Sequence, residues 1–514
     1  MHAALLSKGF LPRELPQLFS SASLGNLVGK TGLPADFVST TAVWTQPVQH
    51  NLARAGGLRR KLSIPNPVNY FRLAKAFDTN SGALVAQWGL SPYSQTTPDA
   101  ACSGPRAIAR NVSDRASPRA KTRVGARYLL RTDIAQFYPS IYTHAVPWSL
   151  HSKAVAKKSM KDMSLAGNVL DRELQASQFG QTKGVPIGPD TSLGIAEILL
   201  APLDLHLKNT CPIVGGTRFI DDIEFTFKRL SEAETALARM EYFLNELELQ
   251  LNQTKTHIDE LPSEIESDYV TSLRPYVPTS GTSSKAQWID YFNQAFGAAR
   301  AKPQAGVLRY AVAALQGVQV NPKLWELVQQ LLWQCITSDA GCLRFVTDIL
   351  LSNKAAGGHS IDLDLGASAV ESLIQNSAPI GHGSEVVWSI WAAIHLKLPI
   401  SSASQALIAT MDDAVVAVTA MVAHEEKVFE SDFDSTLWKS WITPDSFKEE
   451  YWLFIYECVK RGWFTAEVTA AGLPTNANVM YLLANSISFV DIDAIHLYTP
   501  ARRPVLPTGS GGGY

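Results

Sequence analysis

Two adjacent carboxylates inside an otherwise apolar stretch constrain this chain more than any other feature. Asp221 and Asp222 lie within Thr217-Arg-Phe-Ile-Asp-Asp-Ile-Glu-Phe-Thr-Phe227, with apolar or aromatic residues on both sides. Read with period two, the stretch predicts a β-hairpin with Asp221-Asp222 at its tip. A hairpin that only had to turn would favour Asn-Gly or Asp-Gly there. Adjacent carboxylates repel each other, so a compensating charge is expected, and a divalent cation supplies one. A second predicted strand, Tyr128-Leu-Leu-Arg-Thr-Asp133, also ends in an acid. Asp133 and Asp221 together could bridge two Mg²⁺ ions, the arrangement that joins or cuts phosphate esters.

The chain has 514 residues, enough for two or more domains with ample core. An apolar share of 46% with 18% charged residues is that of a folded globular protein. The net charge of −2 excludes a polycation, but the distribution is uneven. From Arg54 to Arg131 there are fourteen Lys and Arg against three acids, Asp78, Asp99 and Asp114. Such a segment suits phosphates, whether of a nucleic-acid backbone or a nucleotide tail. The five cysteines are scattered and form no Cys-x-x-Cys pair, so neither a zinc site nor a disulfide framework is expected. With no run approaching a membrane span and no apolar signal region, the reading is a cytoplasmic protein that does not bind membranes.

Residues 1–50 read as short helices and loops. Residues 51–127 form a basic, finger-like segment in which Ala100–Gly125 reads as loop. Residues 128–260 alternate as strand, helix, hairpin, helix, strand, the order of an antiparallel sheet with helices on one side. Asp190 is expected to cap a helix over Thr191–Lys208, and Ser231 with Glu234 to form a capping box. From about residue 285 strand alternation fades. Amphipathic segments recur over Lys323–Cys335, Leu343–Ser352, Ala369–Asn376, Glu385–Leu396, Ser404–Met411, Ala414–Ala423 and Glu449–Lys460. They predict an all-helical region, either an irregular domain or a repeat array. The last residues, from Thr508 to Tyr514, are rich in glycine and read as a flexible tail.

Five motifs in order resemble those of reverse transcriptases. They are Arg60-Lys-Leu-Ser-Ile-Pro-Asn-Pro-Val-Asn-Tyr70, Asp133-Ile-Ala-Gln-Phe-Tyr-Pro-Ser-Ile141, Gly184-Val-Pro-Ile-Gly-Pro-Asp-Thr-Ser192, Phe219-Ile-Asp-Asp222 and Leu249-Gln-Leu-Asn-Gln-Thr-Lys-Thr-His257. Two departures stand out. Lys183 precedes Gly184 where bacterial enzymes often carry Gln, and the acidic box reads Phe-Ile-Asp-Asp. With the long helical half, these resemble the prokaryotic abortive-infection reverse transcriptases that defend against phage.

The resemblance implies an α+β fold: fingers and palm over residues 1–275, an all-α domain of HEAT-like character over 276–500, and a tail over 501–514. It implies two-metal nucleotidyl transfer with two Mg²⁺ ions, or Mn²⁺ in their place. Asp133, Asp221 and Asp222 would be catalytic, and Asp133, Ile134, Asp221 and Asp222 would form the metal site. Tyr138 would lie beneath the sugar and exclude a ribose 2′-hydroxyl, while Phe137 packs in the core. Gly184, Pro186 and Gly188 would grip a strand or base, with Lys183 able to touch a phosphate. Lys255 would neutralise pyrophosphate. Arg127 and Arg131, within the set Arg106, Arg110, Arg119, Arg123, Arg127 and Arg131, are candidates for the dNTP triphosphate. His144, His151 and His257 show no metal-ligand spacing and read as structural. The implied partners are dNTPs, an RNA or DNA strand, a DNA product attached to the protein itself, and a second copy of the chain. Tyr514 is one candidate priming residue, with Tyr70, Tyr93, Tyr128 and Tyr142 as alternatives. The competing readings are a conventional templated reverse transcriptase and a non-catalytic nucleic-acid-binding scaffold.

Overall fold

The computed structural model describes residues 1–496 apart from Ser113, Gly358, Glu430 and Phe433. A two-stranded hairpin comes first, β1 (Val48–Ala53) and β2 (Arg59–Ile64). The larger sheet consists of β3 (Tyr128–Asp133), β4 (Gly215–Phe219), β5 (Asp222–Phe227) and β6 (His257–Glu260), antiparallel throughout in the order β4-β5-β3-β6. Between β2 and β3 lies a short helix, α1 (Ala116–Thr122). A long helix, α2 (Asp190–Thr210), precedes β4, and α3 (Leu230–Glu246) links β5 to β6.

Period two along β5 explains the two faces of this sheet. Ile223, Phe225 and Phe227 are fully buried and join the core. Helix α3 packs behind β3 and β5, and its Ala233, Ala236, Met240 and Leu244 are fully buried. Asp222, Glu224 and Thr226 alternate onto the opposite face. Asp222 pairs with Asp133 in register there, and Glu224 with Arg131. One face of the sheet is therefore built for packing and the other for charge.

Several local expectations are corrected. The hairpin loop is Ile220-Asp221, because Asp222 is already the first residue of β5 and pairs with Phe219. Helix α2 starts at Asp190, whose carboxylate does not cap it. That carboxylate accepts from Arg106 Nε at 2.8 Å and from the amides of Ile108 and Ala109. A long-range anchor thus wins over local capping. Helix α3 starts at Leu230, two residues before the Ser231 box would allow. The Glu232 carboxylate accepts from the Arg229 amide at 3.0 Å. Ala100–Gly125, expected as loop, contains α1.

Among the described residues beyond 276 there are helices and no strand. All seven expected segments coincide with helices: Trp325–Ser338, Leu343–Gly357, Leu363–Ser377, Gly383–Leu396, Ser402–Ala409, Ala414–Glu425 and Trp452–Arg461. Lys285–Ala301 and Val307–Ala313 are additional. This half closes back on the start of the chain. The Ser20 amide donates to the Phe489 carbonyl, and Trp388 Nε1 donates to the Glu14 carbonyl. Hairpin β1-β2 is docked on the same helices through His50–Asp413 at 2.8 Å and the Arg59–Glu385 ion pair. Trp452 joins three segments: it packs against Phe10 and Phe489, and its Nε1 donates to the Ile64 carbonyl at 3.2 Å. No helix among the described residues is long and apolar enough to cross a membrane, and none of the five cysteines forms a disulfide. Trp452→Ala removes a fully buried side chain from this junction and should cost about 3–5 kcal/mol, read as a lower urea midpoint.

Candidate active site

The acids are presented by a turn in an unfavourable conformation. Ile220 has φ of 60°, a region that a β-branched residue rarely adopts. Residues held there cost on the order of 1–3 kcal/mol and persist only where the surroundings over-determine them. Here the surroundings are a buried charge network. Arg218, Glu197 and Asp204 are all fully buried. Arg218 donates from Nη1 and Nη2 to Glu197 at 3.0 and 2.8 Å, and from Nε to Asp204 at 2.8 Å. Burial alone would lower the guanidinium pKa, but the Asp204 and Glu197 carboxylates raise it above its ordinary value. The same Nη1 donates to the Ile220 carbonyl at 3.0 Å, and the Ile220 amide donates to Thr96 Oγ1 at 3.1 Å. Thr96 Oγ1 in turn donates to Glu197 at 2.9 Å. Both polar backbone groups of the strained residue are thereby held by one network.

Around the three acids stand cations. Lys255 Nζ lies 2.5 Å from Asp133 Oδ2. Arg115 Nη1 lies 3.2 Å from Asp222 Oδ2, with Arg119 Nη2 at 3.9 Å. Arg119 reaches Glu224 at 3.1 Å, and Arg123 and Arg131 each reach it at 3.5 Å. Arg115 at the N-cap of α1, Arg119 within it and Arg123 at its C-cap recur every four residues and so share one side of it. That side is turned to the acidic face of the sheet. Arg115 also lies over the Phe219 ring at 4.4 Å.

Burial, together with the Asp133 and Asp222 carboxylates, pushes Asp221 up to about 7. Burial also raises Asp222, opposed by Arg115 and Arg119. Among the described residues no three His, Cys, Asp or Glu side chains form a ready metal cage. The donor set nevertheless suits a hard divalent cation that takes few carboxylates and completes its shell with water and substrate phosphates. Asp133 and Asp222 face each other in register, and Asp221 is disfavoured as a bare anion.

Other predicted residues are placed as follows. Ile134 is buried and bridges Leu251. Tyr138 is 4% exposed and packs on Phe137, which is 3% exposed, so the two are equally covered. Gly184 has φ of 90° and Gly188 φ of 134°, both within glycine's range. A Cβ on Gly188 would lie 2.4 Å from Pro12, so the N-terminal segment covers this end of the motif, and Pro186 is buried. Lys183 and Arg110 are exposed. Arg106 is taken up by Asp190, and Arg127 by Glu260 at 2.9 Å on the sheet edge, away from the acids. Arg131 also contacts Asp259 at 3.6 Å. His144 pairs with Asp171 at 2.5 Å, His151 accepts from the Gly167 amide, and His257 pairs with Asp259. Tyr514 lies outside the described residues. Sequence reasoning missed Arg115, Arg218, Glu197, Asp204 and Thr96. The i, i+4 spacing of Arg115 with Arg119 and Arg123 was the available signal for the first. For the buried network no local pattern exists.

An antiparallel palm-like sheet with acids on adjacent central strands defines a class of phosphoryl-transfer enzyme. The reverse transcriptase (RNA-dependent DNA polymerase) family model matches residues 93–273, which contain α1, the whole four-stranded sheet and the three acids. The chain thus carries a reverse transcriptase domain and is a nucleotidyltransferase, a DNA polymerase of reverse-transcriptase type. No curated protein matches it.

The raised pKa of Asp221 has a sign that can be tested. Between pH 3.8 and about 7 the native state binds more protons than the unfolded state, so stability falls as pH rises through that window. Asp221→Asn should flatten this slope and raise the metal-free Tm at pH 8, and added Mg²⁺ should raise the wild-type Tm more than the variant's. Calorimetry with and without chelator checks both.

Proposed function

We propose that the chain polymerises dNTPs, with Asp133, Asp221 and Asp222 holding two Mg²⁺ ions and the Ile134 backbone beside them. Mn²⁺ would serve in place of Mg²⁺. The observation that carries this reading is the in-register facing of Asp133 and Asp222 beside the strained turn that presents Asp221. Bound there, the ions would lower the pKa of the attacking hydroxyl and stabilise the pyrophosphate leaving group. Asp133 and Asp222 are neutralised in the meantime by Lys255 and Arg115, which are placed to turn to the triphosphate once the carboxylates are otherwise compensated. The Nε atoms of Arg119 and Arg123 are buried without a hydrogen-bond partner among the described residues, spare donors of the kind that bind phosphate oxygen. Tyr138 would act as the sugar gate, and at the Gly184–Gly188 turn the exposed Lys183 would meet a strand phosphate.

The finer reading is an abortive-infection enzyme that synthesises DNA without a template and primes on itself, with a HEAT-like helical half and assembly as a homo-oligomer. It is supported by Lys183, by the Phe219-Ile220 box and by the helical half that docks on the β1-β2 hairpin. Incubation with single dNTPs and Mg²⁺, without added nucleic acid, should give a nuclease-sensitive mass increase on the protein. Product only with primer and template would establish the templated alternative instead. Asp221→Asn should reduce incorporation by orders of magnitude while the circular dichroism spectrum is unchanged. Tyr138→Ala should raise rNTP use relative to dNTP use, measured by competition, and equal use of both by the wild type would remove the gate.

A further inference from the structure

We infer that Arg218 is a positioning residue: with Glu197, Asp204 and Thr96 it holds the Ile220-Asp221 turn in a conformation isoleucine does not keep by itself, and so sets where the Asp221 carboxylate stands. The consequence for activity rests on the two-metal reading above.

Three observations converge. First, the two-residue loop carries a β-branched residue at φ of 60°, where hairpins of this kind use glycine or asparagine. A turn that needed no external support would not be built from isoleucine. Second, the supports come from far along the chain. Thr96, on the segment before α1, accepts the Ile220 amide, and Arg218 holds the Ile220 carbonyl while bound to two residues of α2. The turn is thus tied to α2 and to the segment around Thr96, not only to its own strands. Third, the charges do not cancel. One guanidinium faces two fully buried carboxylates, and burial pushes the Asp204 carboxyl up. Ser91, Ser94 and Thr96 supply further hydrogen bonds to those carboxylates. Buried ionic groups of this sort are poor stabilisers compared with well-packed apolar residues, so the network is better explained by the geometry it enforces. Arg218 touches no metal-site carboxylate. It acts through the Ile220 carbonyl, one residue from Asp221.

The test couples the network to the strain. Glycine populates positive φ readily, so in an Ile220→Gly background the turn no longer needs holding. Arg218→Met and Thr96→Val are made in the wild-type and Ile220→Gly backgrounds of the full chain. The readouts are kcat and KM for dNTP incorporation, the Mn²⁺ binding midpoint by electron paramagnetic resonance, and the melting curve. With Ile220 present, Arg218→Met should lower kcat by up to roughly a hundredfold, the scale of a misplaced reacting group. It should also raise the Mn²⁺ midpoint and leave KM nearly unchanged. Thr96→Val should act in the same direction but less, and Arg218→Lys should recover part of the loss. In the Ile220→Gly background the Arg218→Met loss should shrink by roughly tenfold, within the coupling seen between contacting residues. Equal losses in both backgrounds, or a folded Arg218→Met protein with unchanged kcat and Mn²⁺ midpoint, would overturn the inference. Should Arg218→Met not fold, Thr96→Val carries the comparison with the same two outcomes. Mn²⁺ binding that depends on Arg218 in a protein that incorporates no nucleotide would leave the inference standing and sink the polymerase reading.

Discussion

The register of β3 against β5 is the constraint on which the site depends. Side chains alternate across a strand, so a slip of one residue would send Asp222 and Glu224 into the core and Ile223 and Phe225 onto the charged face. The fully buried Ile223, Phe225 and Phe227 make that slip prohibitive. With the register set, Asp133 must stand opposite Asp222 and Arg131 opposite Glu224. The two-residue loop then leaves only Ile220 and Asp221 to make the turn. The strain at Ile220 is a direct result of keeping both acids at the end of a tight hairpin.

An acidic sheet face needs a basic surface opposite it. Helix α1 provides one through Arg115, Arg119 and Arg123, which neutralise Asp222 and Glu224, while Lys255 comes from the other side to Asp133. One of these pairs differs from the Arg218 network. Lys255 is 55% exposed, so its ion pair with Asp133 is weak and exchangeable, whereas the arginines and Glu224 are largely covered. The Arg218 contacts are fully buried and stay in place. The site therefore combines a fixed frame beneath the turn with one exposed, exchangeable charge beside Asp133.

The helical half is not an appendage. Its last helices meet residues 10–27, and its middle helices hold the β1-β2 hairpin through His50–Asp413 and Arg59–Glu385. Pro12 of the same N-terminal segment lies against Gly188, and the Gly9 carbonyl accepts from the Asp190 amide. Through this segment the helical half and the Gly184–Gly188 turn share a support.

How much of this was legible in the sequence follows from the range of each interaction. The hairpin, the strand ending at Asp133, the order of the palm elements and the seven amphipathic helices were legible, because period-two and period-3.6 patterns are local. That three acids meet at one end of the sheet was legible, because Asp133 ends one period-two run and Asp221-Asp222 interrupt another. Asp190 as a helix cap and Ser231 as a capping box were misread, since Arg106 and Glu232 offered better partners than the local rule anticipates. Arg127 and Arg131 stood out by their place beside β3, but Arg127 turns to Glu260 and Arg115 holds Asp222. Strand geometry says which face a residue occupies and not which of several cations reaches it. The Arg218 network joins residues 96, 197, 204 and 218 from three segments, and no spacing announces it. The sequence by itself determined the strand and helix patterns that bring three acids to one end of the sheet. Only the tertiary structure decided which charges meet, because buried pairing depends on the packing of distant segments and not on their order along the chain.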